Sequence, residues 1–303
     1  MKHQSLNNTL NFSVNNNIFC AKFVAMANPC SIFIEQGNTS TETLQKIAYS
    51  IAAEAWRIEQ KYSRYLNTSV IYKINNNQGD AVLIDNETFS LLTLADTLWR
   101  ESAGKFDISS GIFRKIWTFN QQKKIPTKKE INQVLKYIGW EKVDFDQQKI
   151  ILPKGMQIDF GGIGKEYATD RCASLATQLT DQSILINLGG DIAIQNHQNQ
   201  SAPWKISIES KEGKGKIWKQ FNLSKGAVAT SGDVYKSFTL DGKRYGHIIN
   251  ALTGYPIEFA PRTVTVIAPN CSEAGILTTL SILEGKGAEY FLQTTGRAYW
   301  IQT

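Results

Sequence analysis

The stretch Ile158-Asp159-Phe160-Gly161-Gly162-Ile163-Gly164-Lys165-Glu166-Tyr167-Ala168 constrains this chain more than any other. Met156, Ile158 and Phe160 alternate with polar neighbours, which is the period of a strand. Gly161, Gly162 and Gly164 follow, and then Ala168, Cys172, Leu175, Ala176 and Leu179 recur at helical spacing. The pattern reads as strand, tight glycine turn, helix. Such a turn brings backbone N–H groups close to an anion, and the helix start adds unpaired donors and a positive dipole end. Lys165 sets a cation at the rim. The spacing is neither the P-loop nor the dinucleotide fingerprint. The residues alone therefore leave an anion-binding turn and a plain packing turn both open.

The 303-residue chain is long enough to bury a sizeable core, as one large domain or two small ones. Its net charge of +6 favours anionic ligands weakly. The basic residues are scattered, and no helix-turn-helix, zinc-finger or RNA-binding signature occurs, which argues against nucleic acid. Lys211 to Lys219 reads as a solvated hairpin edge. Cys20, Cys30, Cys172 and Cys271 show no paired metal-ligand spacing. The opening residues are rich in Asn and Ser and lack an apolar run, so neither a secretory signal nor a transmembrane helix is expected, and the setting expected is cytoplasmic.

Residues 1–22 read as a polar N-terminal tail and 23–303 as the folded domain. Phe23 to Ile34 reads as a strand with a break at Ala25 to Cys30. A long helix follows, for which Thr39 and Glu42 form a capping box and Leu44, Ile47, Ala48, Ile51, Ala55, Ile58 and Tyr62 an apolar stripe. Further helices are expected at Thr88 to Ser102, Lys128 to Ile138 and Cys271 to Leu283. Strands are expected at Ile184 to Leu188, Trp204 to Ile208, Ile217 to Leu223, Arg262 to Ala268 and Ala298 to Ile301, with a hairpin turning at Asp241-Gly242. Antiparallel hairpins inserted among helices argue for an α+β fold rather than a doubly wound sheet. Phe106-Asp107-Ile108 reads as a ligand-facing loop, a helix cap by Asp107, or both. His247 lies between small-residue turns, as a catalytic or a structural histidine.

Taken in order, these segments resemble the ApbE family of flavin transferases. The resemblance rests on Ala25-Met26, Lys61 to Tyr65, Phe106-Asp107, Ile158 to Lys165, Asn187-Leu188-Gly189-Gly190-Asp191, Ala229-Thr230-Ser231-Gly232-Asp233, Tyr245 to Pro256 and Thr265-Val266-Ile267-Ala268-Pro269. It implies an ApbE-like fold, with mixed and antiparallel sheets and packed helices around a flavin cleft. It also implies a chemistry. FAD binds with a divalent metal, usually magnesium, on its pyrophosphate. A threonine hydroxyl of a target flavoprotein attacks the FMN-side phosphorus, AMP leaves, and FMN remains joined through a phosphoester. The resemblance places the base at His247, flavin contacts at Met26, Phe106, Asp107, Ile108, Asp159, Lys165 and Ile248, and metal positions at the Gly162 carbonyl and Thr279.

Three departures stand against the family pattern. Its Met-Gly-Thr is Met26-Ala27-Asn28 here, and the Asp-Pro after its His-Ile-Ile is Asn250-Ala251. The aspartate it carries four residues before Thr279, a metal ligand, is Gly275. Glu273, Asn250 or a water are the substitutes expected, and Gly275→Asp is expected to strengthen metal binding. The lost carboxylate also fits two rivals to transfer, a non-catalytic FAD carrier and an FAD pyrophosphatase.

Overall fold

The computed structural model describes residues 8–77, 79–119, 124–196 and 202–303. Its first three strands, β1 (Asn11–Asn15), β2 (Ile18–Ala25) and β3 (Asn28–Glu35), form an antiparallel meander. Ordered strand thus begins inside the expected tail, and residues 1–7 lie outside the described residues. The expected break at Ala25 to Cys30 is a two-residue hairpin turn. Met26 and Ala27 both take left-handed backbone, with φ of 51° and 57°. Two such residues in succession match the twist of the flanking strands.

The long helix α1 (Thr41–Tyr62) buries Leu44, Ile47, Ala48, Ile51, Ala52, Ala55, Trp56, Ile58 and Tyr62. It starts one residue later than the expected capping box implies. Ser40, not Thr39, is the cap, accepting from the Thr43 backbone N–H at 3.2 Å. A full capping box occurs elsewhere, at Thr127 and Glu130. Then come α2 (Val70–Asn76), β4 (Ala81–Leu83), α3 (Asn86–Glu101), a 3-10 turn over Ile108–Lys115, α4 (Lys128–Leu135), β5 (Asp144–Phe145) and β6 (Lys149–Ile151). The helix α2 was not expected from the sequence, and β4, β6 and β5 form a small antiparallel sheet.

Met156 to Phe160 is extended but joins no strand ladder. Its alternation is real, since Met156, Ile158 and Phe160 are all buried. The backbone is satisfied otherwise: the Asn75 amide of α2 both donates to and accepts from Ile158, at 2.9 and 2.7 Å, and the Asp159 N–H donates to the Ile108 carbonyl at 2.9 Å. One buried face gives period two whether or not a neighbouring strand exists. The glycine turn then feeds α5 (Gly164–Leu179), which packs on α1.

The second half supplies β7 (Ile184–Leu188), β8 (Asp191–Gln195), the hairpin β9 (Trp204–Glu209) and β10 (Ile217–Leu223), β11 (Lys225–Gly232), the hairpin β12 (Ser237–Leu240) and β13 (Lys243–Gly246), β14 (Thr263–Ala268), α6 (Cys271–Leu283), α7 (Ala288–Thr295) and β15 (Tyr299–Gln302). The main sheet runs β1-β2-β3-β7-β8-β11-β14-β15, antiparallel throughout. The principal core lies between this sheet and α1 and α5, and α6 covers β11 and β14. A second cluster, Ile112, Phe113, Trp117, Ile131, Phe238 and Ala251 among its members, ties the 3-10 turn and α4 to the segment after β13. The α+β expectation holds, and no helix among the described residues is long and apolar enough to cross a membrane.

Candidate active site

The sheet's register gathers the β2–β3 turn, the β7–β8 turn and the end of β11 on one side. The β2–β3 turn carries Met26 and leans on the β7–β8 turn, because a Cβ at Gly189 would lie 2.7 Å from Asn28 Cβ. Asn28 also donates to the Met26 carbonyl at 2.6 Å. Asp191 opens β8, and Val228 of β11 pairs with the next residue, Ile192. Thr230 and Ser231 therefore continue past Asp191, and Ser231 meets α6 through Thr278 at 2.8 Å and Thr279 at 3.4 Å. From the other side α5 brings Lys165, whose ammonium donates to the Asp191 carboxylate.

The glycine turn is built for close approach. A Cβ at Gly162 would sit 3.0 Å from the Phe106 ring. Phe106, Asp107 and Ile108 are all buried. The Asp107 carboxylate accepts from Ser109 N–H at 2.7 Å and Trp140 N–H at 2.9 Å, so its side chain is a cap, and the cap reading is the one seen. Asp159 accepts from the Gly161 N–H at 2.9 Å and pairs with Arg64 at 3.1 Å and Arg114 at 3.0 Å. Two guanidiniums thus border the turn. Their role was not read from the sequence, although the Lys61 to Tyr65 segment was singled out.

His247 follows β13, where Ile248 packs into the main core and Ile249 into the second cluster. The imidazole is half-buried, meets the Phe119 ring edge-on at 6.4 Å, and leaves Nδ1 buried without a hydrogen-bond partner. Burial, with the nearby Lys236 and Arg114 cations, lowers its pKa to about 4. The ring is therefore neutral at physiological pH, the state a base requires. Next to it, a Cβ at Gly246 would fall 2.5 Å from the Asp233 carboxylate, which pairs with Arg262 at 3.1 Å and Arg244 at 3.4 Å. A small cavity lined by Asp233, Gly246, Ile248, Ile257 and Ile282 lies behind this strand end.

The metal positions proved the least legible part. Thr279 is half-buried on α6, one helical turn beyond Gly275. Both side chains expected to substitute for the family's aspartate are engaged elsewhere. Glu273 pairs with Arg297 at 2.6 Å, and Asn250 accepts from the Leu252 N–H at 2.9 Å within its own turn. The residue that fills the gap is Glu166. A Cβ on Gly275 would lie 2.3 Å from Glu166 Cγ and 3.0 Å from its Cδ and Oε1. Gly275→Asp alone therefore collides with Glu166, so any gain in metal binding from that change requires Glu166 to move. Glu166 is 6% exposed and its Oε2 is buried with no partner. Burial and the neighbouring Asp191 push its carboxyl well above the usual range, against the pull of Lys165. Burial opposes the charge on Lys165, but Asp191 and Glu166 overcome it and hold the ammonium above its ordinary value. No three His, Cys, Asp or Glu side chains gather as a ready-made metal cage among the described residues. The donors here are carboxylates, hydroxyls and backbone carbonyls, which suit a hard cation that keeps part of its oxygen shell from a phosphate or water.

The sequence profile of the ApbE family matches residues 26–300. The chain belongs to the ApbE family. Its relatives include the FAD:protein FMN transferase of Haemophilus influenzae, 28% identical over 271 residues, covering 85% of this chain and 78% of the relative. The FAD:protein FMN transferase of Escherichia coli K12 is 26% identical, over 87% of this chain and 77% of its own length. Among solved structures, the ApbE protein of Thermotoga maritima superposes with a TM-score of 0.81 at 29% identity, over 97% of this chain and 94% of its own. The flavinyl transferase ApbE of Pseudomonas stutzeri does so with 0.80 at 21% identity, over 96% and 91%, a likeness of fold. The ApbE fold expected from the motifs is the fold observed.

Proposed function

We propose that this protein is an FAD:protein FMN transferase, moving FMN from FAD onto a threonine hydroxyl of a target flavoprotein and releasing AMP. The observation that carries the reading is coverage: the ApbE match runs through nearly the whole chain, and the relatives it spans bear that activity as their name.

The geometry supports each part of the reaction. FAD is the substrate, and its pyrophosphate is dianionic. Arg64, Arg114 and Lys165 surround the glycine turn with positive charge, and the start of α5 adds backbone donors. Phe106, Ile108, Met26 and Ile248 offer apolar surface to the isoalloxazine, and Asp159 orients the turn. The incoming threonine oxygen forms a bond to the FMN-side phosphorus, the phosphorus–oxygen bond to AMP breaks, and the hydroxyl proton passes to His247. Magnesium, when bound, neutralises pyrophosphate charge and eases departure of AMP. The residues that would hold it include the Gly162 carbonyl and the Thr279 hydroxyl. A cytoplasmic setting belongs to the same proposal, and the four buried, unpaired thiols suit a reducing compartment.

A titration tests the binding half. The protein should bind FAD more tightly than FMN, since the charged turn reads a pyrophosphate that FMN lacks. Equal affinity for the two, or none for either, contradicts the proposal.

A further inference from the structure

We propose that Glu166, on the first turn of α5, supplies the carboxylate that a divalent metal on the FAD pyrophosphate requires, reaching across into the space left by Gly275 on α6. The inference rests on the FMN-transfer reading above and adds to it a ligand that replaces the missing aspartate.

Three independent observations converge on this residue. The first is steric. Gly275 is buried, and the volume a side chain there would take is filled by the Glu166 methylene and carboxyl carbons. The helix on which the family resemblance expects a carboxylate faces the helix that presents one. The second is an unpaid polar debt. A buried carboxylate oxygen without a partner is rare and costly, and in a native protein it points to an ion, a water or a ligand. The third is the neighbourhood. Asp191 stands close enough to repel Glu166, and Lys165, which donates to Asp191, also attracts Glu166. Two buried carboxylates beside one ammonium leave room for more positive charge.

The surrounding donors match a hard divalent cation. Thr279 lies one helical turn from Gly275 on the same face of α6, and its hydroxyl, 3.4 Å from Ser231, carries no short bond that it would have to give up. Carboxylate, hydroxyl and carbonyl oxygens are what magnesium and manganese take, with phosphate oxygens and water completing the shell. The position of Glu166 in the first turn of its helix also favours negative charge there.

The test uses the full chain loaded with FAD and reads metal binding directly, by calorimetry with magnesium and by electron paramagnetic resonance with manganese. Glu166→Gln keeps the shape of the side chain and removes its charge. It should weaken metal affinity by about tenfold or more, while FAD affinity measured in a chelator stays at the wild-type value. Glu166→Gly with Gly275→Asp returns the carboxylate to α6 and should recover most of the lost metal affinity. Gly275→Asp alone should lower the melting temperature. Wild-type metal affinity in Glu166→Gln overturns the proposal, and so does a parallel loss of FAD binding in the chelator, which marks a packing role. Both results leave the transferase reading standing. A wild-type protein that binds no FAD removes that reading and this one together.

Discussion

Replacing His247 by alanine lowers FMN transfer by about two to four orders of magnitude, the span that general-base catalysis supplies. FAD affinity and the unfolding midpoint remain close to wild type. A threonine hydroxyl is a weak nucleophile at neutral pH, and an imidazole with an unpartnered ring nitrogen is the acceptor its proton needs. The pH profile separates this role from a structural one. Burial, Lys236 and Arg114 hold the pKa near 4, so the base stays competent well into mildly acidic solution. The acid limb of transfer should fall near pH 4 to 5 rather than at the 6.5 of a free imidazole. Stability follows the same shift. A histidine whose folded pKa is depressed contributes fully above its unfolded value and loses that contribution as pH falls through the folded one. The wild type should therefore lose stability between about pH 6.5 and 4, and the alanine variant should lose less. Equal activity in a folded His247→Ala protein ends the catalytic assignment.

The second large effect belongs to Lys165. Lys165→Met keeps the length of the side chain and strips its charge. Asp191, whose side chain is 3% exposed, then loses the ammonium that compensates it, and Glu166 loses the same cation. Removing one partner of a fully buried pair costs about 3–5 kcal/mol; with the Lys165 side chain 29% exposed and Asp191 able to protonate, the loss should fall at or below the lower end. Urea unfolding of the apo protein should show that loss. FAD titration should add a further weakening of about 1–3 kcal/mol if the ammonium also reaches the pyrophosphate. Adding Asp191→Asn should restore most of the stability but not the FAD affinity. A Lys165→Met protein as stable as wild type contradicts the pairing.

The sequence made the helices and the main strands legible wherever burial was periodic. The apolar stripe of α1, the bounds of α6 and the Asp241-Gly242 hairpin are where their patterns place them. Boundaries failed where neighbours offer equivalent chemistry, as when Ser40 rather than Thr39 caps α1. Met156 to Phe160 shows a deeper limit. Alternation reports which side chains are buried and not what the backbone bonds to, and the Asn75 amide that replaces a strand ladder sits on a helix the sequence did not announce.

The site divided in the same way. His247, the glycine turn and Lys165 stand in motifs, and the fold brings them to one end of the sheet. Asp107 is seen as a cap, its two oxygens accepting from Ser109 and Trp140, a role compatible with a ligand-facing backbone at Phe106 to Ile108. Glu166 was invisible as a functional residue: an acidic group in a helix's first turn is ordinary. Only the packing of α5 on α6 shows that Glu166 and Gly275 share one volume.

The central claim is transfer of FMN to protein, and intact mass measures it directly. The protein is incubated with FAD, magnesium and a candidate acceptor flavoprotein containing a threonine, and both the acceptor mass and free nucleotides are followed. Transfer predicts an acceptor heavier by one phosphoester-linked FMN, with one AMP released per adduct and at least about a hundredfold slower formation by His247→Ala. AMP appearing with free FMN and an acceptor of unchanged mass contradicts the account and makes the protein a pyrophosphatase.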